Sequence, residues 1–380
     1  MTEKQTQKVD RPFLFIVLVL ALGGFMIFAS AAMALLTRDG APFSAILIRQ
    51  LLALVVGLIF MFILSYVSYP VWRRVSLTIF ILAVITNALL LIPGLGIEHG
   101  GATRWLSLGP VNFQPAEILK FGFLLYCAAW LSGVYKKIHK FSYGLVPLMI
   151  LLAVSGFSLL YLQKDTSSLV FIILVGVAMF FAAGARLRDT AILASVGISG
   201  LIALILSRPY VLDRFKSFLE SEVDPQGAGY QRRQALIGIG SGGVEGRGFG
   251  QGIQKFNEYL PEPMGDSVFA VLGEELGFLG AALLLTLFLL LLWRGVRIAT
   301  RVSDPFGQLV VVGVVVMFTT QALINIGGMI GLIPLSGTPL TFVSQGGTAL
   351  LTALILSGIV LNISRYQKVG RTAVHKRKAT

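Results

Sequence analysis

Long apolar runs separated by short polar stretches make up most of the chain. They recur near 13–36, 44–68, 75–93, 116–135, 143–162, 167–185, 189–207, 267–293, 307–333 and 341–363. Most match the roughly 20 residues a helix needs to cross the hydrocarbon core of a bilayer. Lipid offers no partner to backbone N–H and C=O groups, so such spans close their hydrogen bonds internally, as helices. The pattern predicts an all-α polytopic membrane protein with about ten transmembrane helices. Two runs are short enough to tilt or merge. No linker or break in composition divides residues 1–380, which are expected to form a single integral membrane domain. No internal repeat is evident, which weakens an inverted-repeat transporter reading.

Two polar intervals are longer than ordinary connections. One runs from about Pro93 to Pro115. The other, about 207–266, falls between the seventh and eighth helices. Loops of this length are usually functional or disordered. The second is rich in aromatic and apolar residues and is expected to be ordered. Its segment Tyr230–Ile237 suits a short amphipathic helix at the interface, or equally a solvated loop helix.

Composition agrees with a membrane class: 56% of residues are hydrophobic and 13% charged, against about 25% charged in soluble domains. The net charge of +13 does not point to nucleic acid. The basic residues fall in alternate loops: Lys4, Lys8 and Arg11; Arg73 and Arg74; Lys136, Lys137 and Lys140; Arg186 and Arg188; Arg294, Arg297 and Arg301; and the tail 364–380. This is the bias of cytoplasmic segments. It places both termini in the cytoplasm and the two long loops outside. The basic tail reads as a topology signal and a contact for anionic lipid.

The first run contains Ala29-Ser30-Ala31, which resembles a cleavage site. It is longer than a signal core and a second span follows closely, so an uncleaved first helix is expected. Cys127 is the sole cysteine and lies in an apolar run, so no disulfide framework exists. His99, His139 and His375 are scattered, with no metal-ligand spacing. Gly238-Ile239-Gly240-Ser241-Gly242-Gly243 matches a dinucleotide fingerprint literally but lacks the strand and βαβ unit it requires. These glycines, with Gly246, Gly248, Gly250 and Gly252, are expected to allow tight turns and close backbone approach.

The candidate chemistry lies in charges a membrane protein would ordinarily avoid. Asp266 ends the second long loop, with Glu274 and Glu275 shortly after it and Glu262 shortly before. Such a cluster can hold a general base, whereas the bland alternative makes Asp266 a helix N-cap. Arg49 lies within the second span. Glu117 and Lys120 open the fourth, three residues apart on one helix face, as anion-site groups or as an internal ion pair. Arg104, Trp105 and Gln114 stand nearby in the first long loop. Arg49 and Arg104 suit anion binding, because a guanidinium grips phosphate with two parallel hydrogen bonds. The residues thus describe an outward polar cavity with cations, a rim carboxylate and glycine-rich walls, suited to an anionic lipid head group.

Asn325, Gly331, Pro334 and Gly337, followed by Phe342-Val343-Ser344-Gln345-Gly346-Gly347-Thr348, resemble the signature of the FtsW/RodA family of shape, elongation, division and sporulation proteins. Arg49-Gln50, Gly101-Ala102-Thr103-Arg104-Trp105 through Gln114-Pro115-Ala116-Glu117 to Lys120, Asp224-Pro225-Gln226-Gly227 with Tyr230-Gln231, and Leu260-Pro261-Glu262 through Asp266 to Gly277 agree with it. The resemblance covers nearly the whole chain and leans toward the division branch.

It implies a peptidoglycan glycosyltransferase. Such a protein polymerises lipid II, an undecaprenyl-pyrophosphate-linked disaccharide peptide, outside the bacterial inner membrane, alongside a class B penicillin-binding protein. Asp266 is then the general base of a single inverting displacement. Arg49, Arg104, Lys120, Glu117 and Gln114 bind substrate or pyrophosphate; Glu262, Glu275, Ser344, Gly346 and Gly347 support the site. No cofactor is certain; a magnesium or manganese ion could share the pyrophosphate charge, though no metal cage is visible. The chain departs from the family pattern at Met264-Gly265, Thr338, Gln345 and Gln163-Lys164-Asp165-Thr166-Ser167. These positions bear on the site's fine shape and pH optimum more than on its chemistry. A lipid II flippase, or a scaffold that recruits a penicillin-binding protein, are the rival readings.

Reporter fusions after Lys137 or Arg188 should report the cytoplasm, and fusions near Gln226 or Gly250 the outer side. An inward result for the second loop would remove the lipid II reading, since the glycan is made outside.

Overall fold

The structure, a computed structural model, describes residues 8–37, 43–99, 102–108, 111–207, 212, 218–219, 228–256 and 259–367. The Asp224–Gly227 motif and the basic tail from Lys368 lie outside the described residues. The helices are α1 (Arg11–Ala32), α2 (Phe43–Leu64), α3 (Pro70–Ala88), α4 (Pro115–Val134), α5 (Leu145–Phe157), α6 (Thr166–Ala182), α7 (Leu187–Ser207), α8 (Ala228–Gly242), α9 (Val268–Arg301), α10 (Pro305–Met329) and α11 (Gly347–Ile363).

Among the described residues, nine helices, counted with their short extensions, are long and apolar enough to cross a membrane; α6, at 17 residues, is the shorter tenth. Each apolar run thus has its helix, and the chain is an all-α polytopic membrane protein. The stretch Tyr230–Ile237 lies in α8, which is helical as expected but does not divide into an apolar and a polar face: Ala235 is buried while Leu236 and Ile237 are exposed. The first long loop adds a feature that hydropathy did not reveal, a three-stranded antiparallel sheet of β1 (Gly96–His99), β2 (Ala102–Leu108) and β3 (Val111–Phe113).

Helix starts follow from local chemistry. Asp10, Asp165 and Asp304 each accept a backbone N–H from the first turn, of Phe13, Ser168 and Gly307 respectively. These carboxylates satisfy donors that the helix leaves open and favour its positive end. Pro12, Pro70, Pro115 and Pro305 occupy first-turn positions, where no N–H is missed. The last apolar run begins at 341 by hydropathy, but α11 begins only at Gly347. The intervening turn is irregular yet buries Leu340, Phe342 and Val343, so packing makes a non-helical segment look like a span.

Helix α10 forms the centre, burying Phe306, Val310, Val314 and Phe318. Helices α2 and α3 instead expose apolar side chains, including Leu52, Ile59, Phe62, Ile81 and Ile85, a surface made for lipid. At the end distant from the sheet, Arg294 on α9 donates two hydrogen bonds to Asp10, at 2.8 and 2.7 Å. There Asp10 N also donates to Ser364 Oγ, and Tyr69 N donates to Asn362 Oδ1. The starts of α1 and α3 and the ends of α9 and α11 are thereby tied together.

Helix α9 breaks near its beginning. Gly277 adopts φ 63°, ψ −162°, a conformation essentially confined to glycine. A Cβ there would lie 2.4 Å from Gly246 N and 2.5 Å from Val244 O. The freed backbone pairs with the glycine-rich segment: Arg247 N donates to Glu274 O, Gly248 N to Glu275 O and Phe278 N to Gly243 O. The break therefore docks that segment against α9. Gly277→Ala should lower the thermal midpoint of the purified protein in detergent, through strain of at least about 1–3 kcal/mol. Gly133→Ala on α4, where nothing lies within 4 Å, should be neutral or stabilising.

Candidate functional site

The local turn around Asp266 is held from two directions. On its own side, Gly265 N and Ser267 N donate to Glu262 O, and Ser267 Oγ donates to Pro261 O. Gln231 Nε2 on α8 donates to Ser267 Oγ at 2.9 Å. From the other side, three successive carbonyls accept from α10 and the α10–α11 connection. Gln345 N reaches Met264 O at 2.7 Å, Ser344 Oγ reaches Gly265 O at 2.6 Å, and Asn325 Nδ2 reaches Asp266 O at 2.8 Å. Asp266 is half-buried and Glu262 exposed. The N-cap position of α9 belongs to Ser267.

Glu274 and Glu275 have structural partners. Glu275 accepts from Lys255 Nζ at 2.6 Å, Ser30 Oγ at 2.7 Å and Gly250 N at 3.0 Å. Glu274 accepts from Ile253 N at 2.8 Å and Gln254 N at 3.1 Å. Both glutamates thus hold the glycine-rich segment onto α9, and Glu275 ties it to α1 as well. Sequence reasoning missed Lys255 and Ser30; a lysine among apolar and glycine neighbours was the one available signal.

A cleft of about 1020 Å³ opens between α2, α4, α11 and the sheet. Its polar lining includes Arg49, Gln50 and Thr348; Val56, Phe121 and Ile355 line its apolar part. Trp105, Gln345, Gly346 and Gly347 also line it. Gln50 fixes the shared wall: its Nε2 donates to Ser344 O, and its Oε1 accepts from Gly346 N, both at 3.3 Å. One short segment, 344–346, therefore borders the cleft on one side and grips the Asp266 turn on the other. The cleft can take a long apolar chain with an anionic head at Arg49.

The remaining cations do not gather there. Along β2, alternate residues face opposite ways. Trp105 faces the cleft, while Arg104 Nη2 donates to Lys164 O at 3.2 Å. Lys120 and Glu117 are both buried and pair with each other at 2.6 Å, the internal ion pair among the two readings. Lys120 Nζ also lies 5.8 Å from the centre of the Phe171 ring. Glu117 touches, with Gln321, Thr341 and Ser344, a small cavity behind the 344–346 segment. Gln114 is at the N-cap position of α4, partly exposed.

Backbone strain collects around the same place. Among the described residues, the non-glycine positions with positive φ are Lys164 (55°), Glu262 (47°) and Phe342 (69°). Glu262 begins the Asp266 turn, Phe342 lies in the connection that grips it, and Lys164 presents its carbonyl to Arg104. Such conformations cost about 1–3 kcal/mol each and persist only where surroundings over-determine them. The glycines at Gly243, Gly246, Gly248 and Gly250 also have positive φ, as tight turns require.

The fold and cleft define a polytopic membrane protein with a large, mainly apolar cleft that carries Arg49 on its wall. The model of the FtsW/RodA/SpoVE family, described as cell cycle protein, matches residues 10–369. The chain belongs to this family. It is 39% identical over 369 residues to Stage V sporulation protein E of Bacillus subtilis strain 168, covering 97% of this chain and 100% of that one. It is 36% identical over 358 residues to a Trichlorobacter lovleyi protein named "Probable peptidoglycan glycosyltransferase FtsW", covering 93% of each. Among solved structures, one described as "Structural coordination of polymerization and crosslinking by a peptidoglycan synthase complex" superposes with TM-score 0.76 at 26% identity, over 95% of this chain and 99% of that one. The rod shape determining protein RodA of Thermus thermophilus gives TM-score 0.69 at 27% identity, over 95% and 98%.

Trp105 provides a probe of the cleft. A polyprenyl pyrophosphate added in detergent should change Trp105 emission, and Trp105→Phe should abolish that change. Arg49→Ala should weaken this binding by roughly 10- to 100-fold, the worth of a hydrogen bond to a charged group. Arg49→Lys should retain part of it, having the charge without the fork.

Proposed function

We propose that this chain is a peptidoglycan glycosyltransferase that polymerises lipid II into glycan strands on the outer face of the bacterial cytoplasmic membrane. The names of its relatives support the reaction. The observation that carries the site assignment is the shared 344–346 segment, which borders the lipid-sized cleft and holds the turn bearing Asp266.

In this reading the cleft receives the undecaprenyl chain along its apolar wall, with the pyrophosphate toward Arg49. Asp266 takes the proton from the sugar 4-hydroxyl of the acceptor. The hydroxyl oxygen forms a bond to the donor's anomeric carbon as the bond to the pyrophosphate oxygen breaks. The leaving group departs with the electron pair, and the configuration at that carbon inverts. A positioned base contributes typically about 10²–10⁴-fold. Arg49 offsets the charge on the departing pyrophosphate. Arg104 faces away from the cleft and is held by the Lys164 carbonyl, so Arg49 carries this role, while the Glu117–Lys120 pair fixes α4 behind the site. Glu262 and Gln114 border the approach to substrate, and Gly346 and Gly347 allow its close passage. Among the described residues no three His, Cys, Asp or Glu side chains gather as ligands for a metal. A magnesium or manganese ion would share the charge of the pyrophosphate beside Arg49.

The basic clusters support cytoplasmic termini and an outward site. A class B penicillin-binding protein is the expected partner, supported by the likeness to a chain of a peptidoglycan synthase complex. The names FtsW, RodA and Stage V sporulation protein E all occur among the matches, and division is the branch favoured by Tyr230-Gln231 and the Asp224-Pro225-Gln226 motif.

Asp266→Asn tests the assignment. The amide preserves shape but accepts no proton, so the variant should insert normally, bind its partner and make almost no glycan from lipid II on gels. Vigorous polymer synthesis by this variant would remove Asp266 as base. Polymerisation by wild-type protein in detergent also separates the enzyme from a flippase, which needs two compartments and makes no polymer. A scaffold would tolerate neutral replacements at Arg49 and Asp266.

A further inference from the structure

We infer that Asn325 is the positioning residue of Asp266, holding the peptide of the base in register with the α10–α11 connection. The inference rests on the reading of Asp266 as the base. Asn325 lies in the last turns of α10 and is 3% exposed. Its Nδ2 donates to Asp266 O at 2.8 Å and to Thr338 O at 2.7 Å. Both amide hydrogens are thus spent on carbonyls from two different segments. The opposite orientation of the carboxamide would set Oδ1 against two carbonyl oxygens, so the hydrogen-bond network assigns the nitrogen.

The residue type follows from the geometry. Serving two carbonyls from one short side chain requires two N–H groups on a single nitrogen. Serine carries one donor. Aspartate would face both carbonyls with lone pairs alone. Asn325 Oδ1 is buried and meets no hydrogen-bond donor, so the side chain is retained at a cost that buried amides normally avoid. A structural filler would not require that cost.

The grips on the two preceding carbonyls of this turn come from the irregular connection, through Ser344 and Gln345. Asn325 is the one on a membrane-embedded helix, and sites built on helices are held more accurately than those built on loops. It also bridges the two strained regions, since Thr338 leads to Phe342 and Asp266 follows Glu262. Loss of the bridge would let the turn shift relative to the cleft wall. A displacement of about 1 Å at a reacting group can lower turnover about 10²-fold.

The test compares purified full-length variants together with their penicillin-binding partner, measuring glycan synthesis from lipid II. Asn325→Ala and Asn325→Asp should each lower kcat about 10²-fold, with KM for lipid II near the wild-type value. Asn325→Ser, with one donor, should fall between them and wild type. In an Asp266→Glu background, whose carboxylate is already displaced, Asn325→Ala should cost much less than it does in the wild type. Equal losses in both backgrounds would overturn the inference, as would a loss expressed only in KM. Wild-type kcat in Asn325→Ala, with Asp266→Asn inactive, would overturn it while leaving the base reading intact. An active Asp266→Asn would instead defeat the base reading. If Asn325→Ala does not fold, Asn325→Ser decides: full wild-type kcat there sinks the inference.

Discussion

The ion pair between Lys255 and Glu275 is buried completely on one side and almost completely on the other, at 0% and 2% side-chain exposure. Neither charge meets water, so each depends on the other and on the groups around them. Ser30 on α1 and the N–H of Gly250 complete the shell about Glu275, and the carbonyl of Gly250 accepts from Lys255. Three distant parts of the chain meet at this point: the first helix, the glycine-rich segment and the start of α9. Removing one partner of such a pair typically costs about 3–5 kcal/mol, because the other charge remains buried. The helix break at Gly277 is possible because Glu274 and Glu275 turn their carbonyls and carboxylates to that segment. The position of Asp266, one short stretch of helix earlier, inherits this anchoring.

Above the anchor, a second set of hydrogen bonds surrounds the candidate base. The turn at 261–267 is closed by its own hydrogen bonds, then gripped at three consecutive carbonyls from α10 and the connection that follows. Strained backbone at Glu262 and Phe342 lies on the two sides of that contact. Strain there is sustainable because the surrounding hydrogen bonds leave the turn no relaxed alternative. A flexible loop could hold a carboxylate near a substrate. This arrangement holds it at one place relative to the cleft wall, as a reaction controlled by proximity demands.

Much of this was legible in the residues. Period and length of the apolar runs gave ten helices, because lipid leaves the backbone few alternatives. Asp266 and Arg49 were visible as charges in apolar surroundings, and the glycines after 238 as turn formers. What stayed hidden depends on contacts across long stretches of sequence. Ser30 and Glu275 are 245 positions apart, and Asn325 and Asp266 are 59 apart. The 340–346 turn was hidden for another reason: it is apolar enough to pass for part of a helix, and only its packing makes it a turn. The sheet in the first loop went unseen because its strands are short and its order comes from pairing, with Leu106 opposite both Gly96 and Phe113.

That sheet separates groups that adjacency in sequence had joined. Arg104 and Trp105 are neighbours, yet strand geometry sends them to opposite faces. Trp105 forms a wall of the cleft, and Arg104 reaches the Gln163–Asp165 segment. Lys164 holds Arg104 with its carbonyl, in a positive-φ backbone conformation. Gln163 in turn donates from Nε2 to Asn87 Oδ1, and Asn87 donates to Pro115 O at the start of α4. That segment therefore sits in a polar chain that connects Arg104 to the helix bearing Glu117 and Lys120. A substitution in that segment acts on the angle of a guanidinium and on the seating of α4, without touching the apolar cleft.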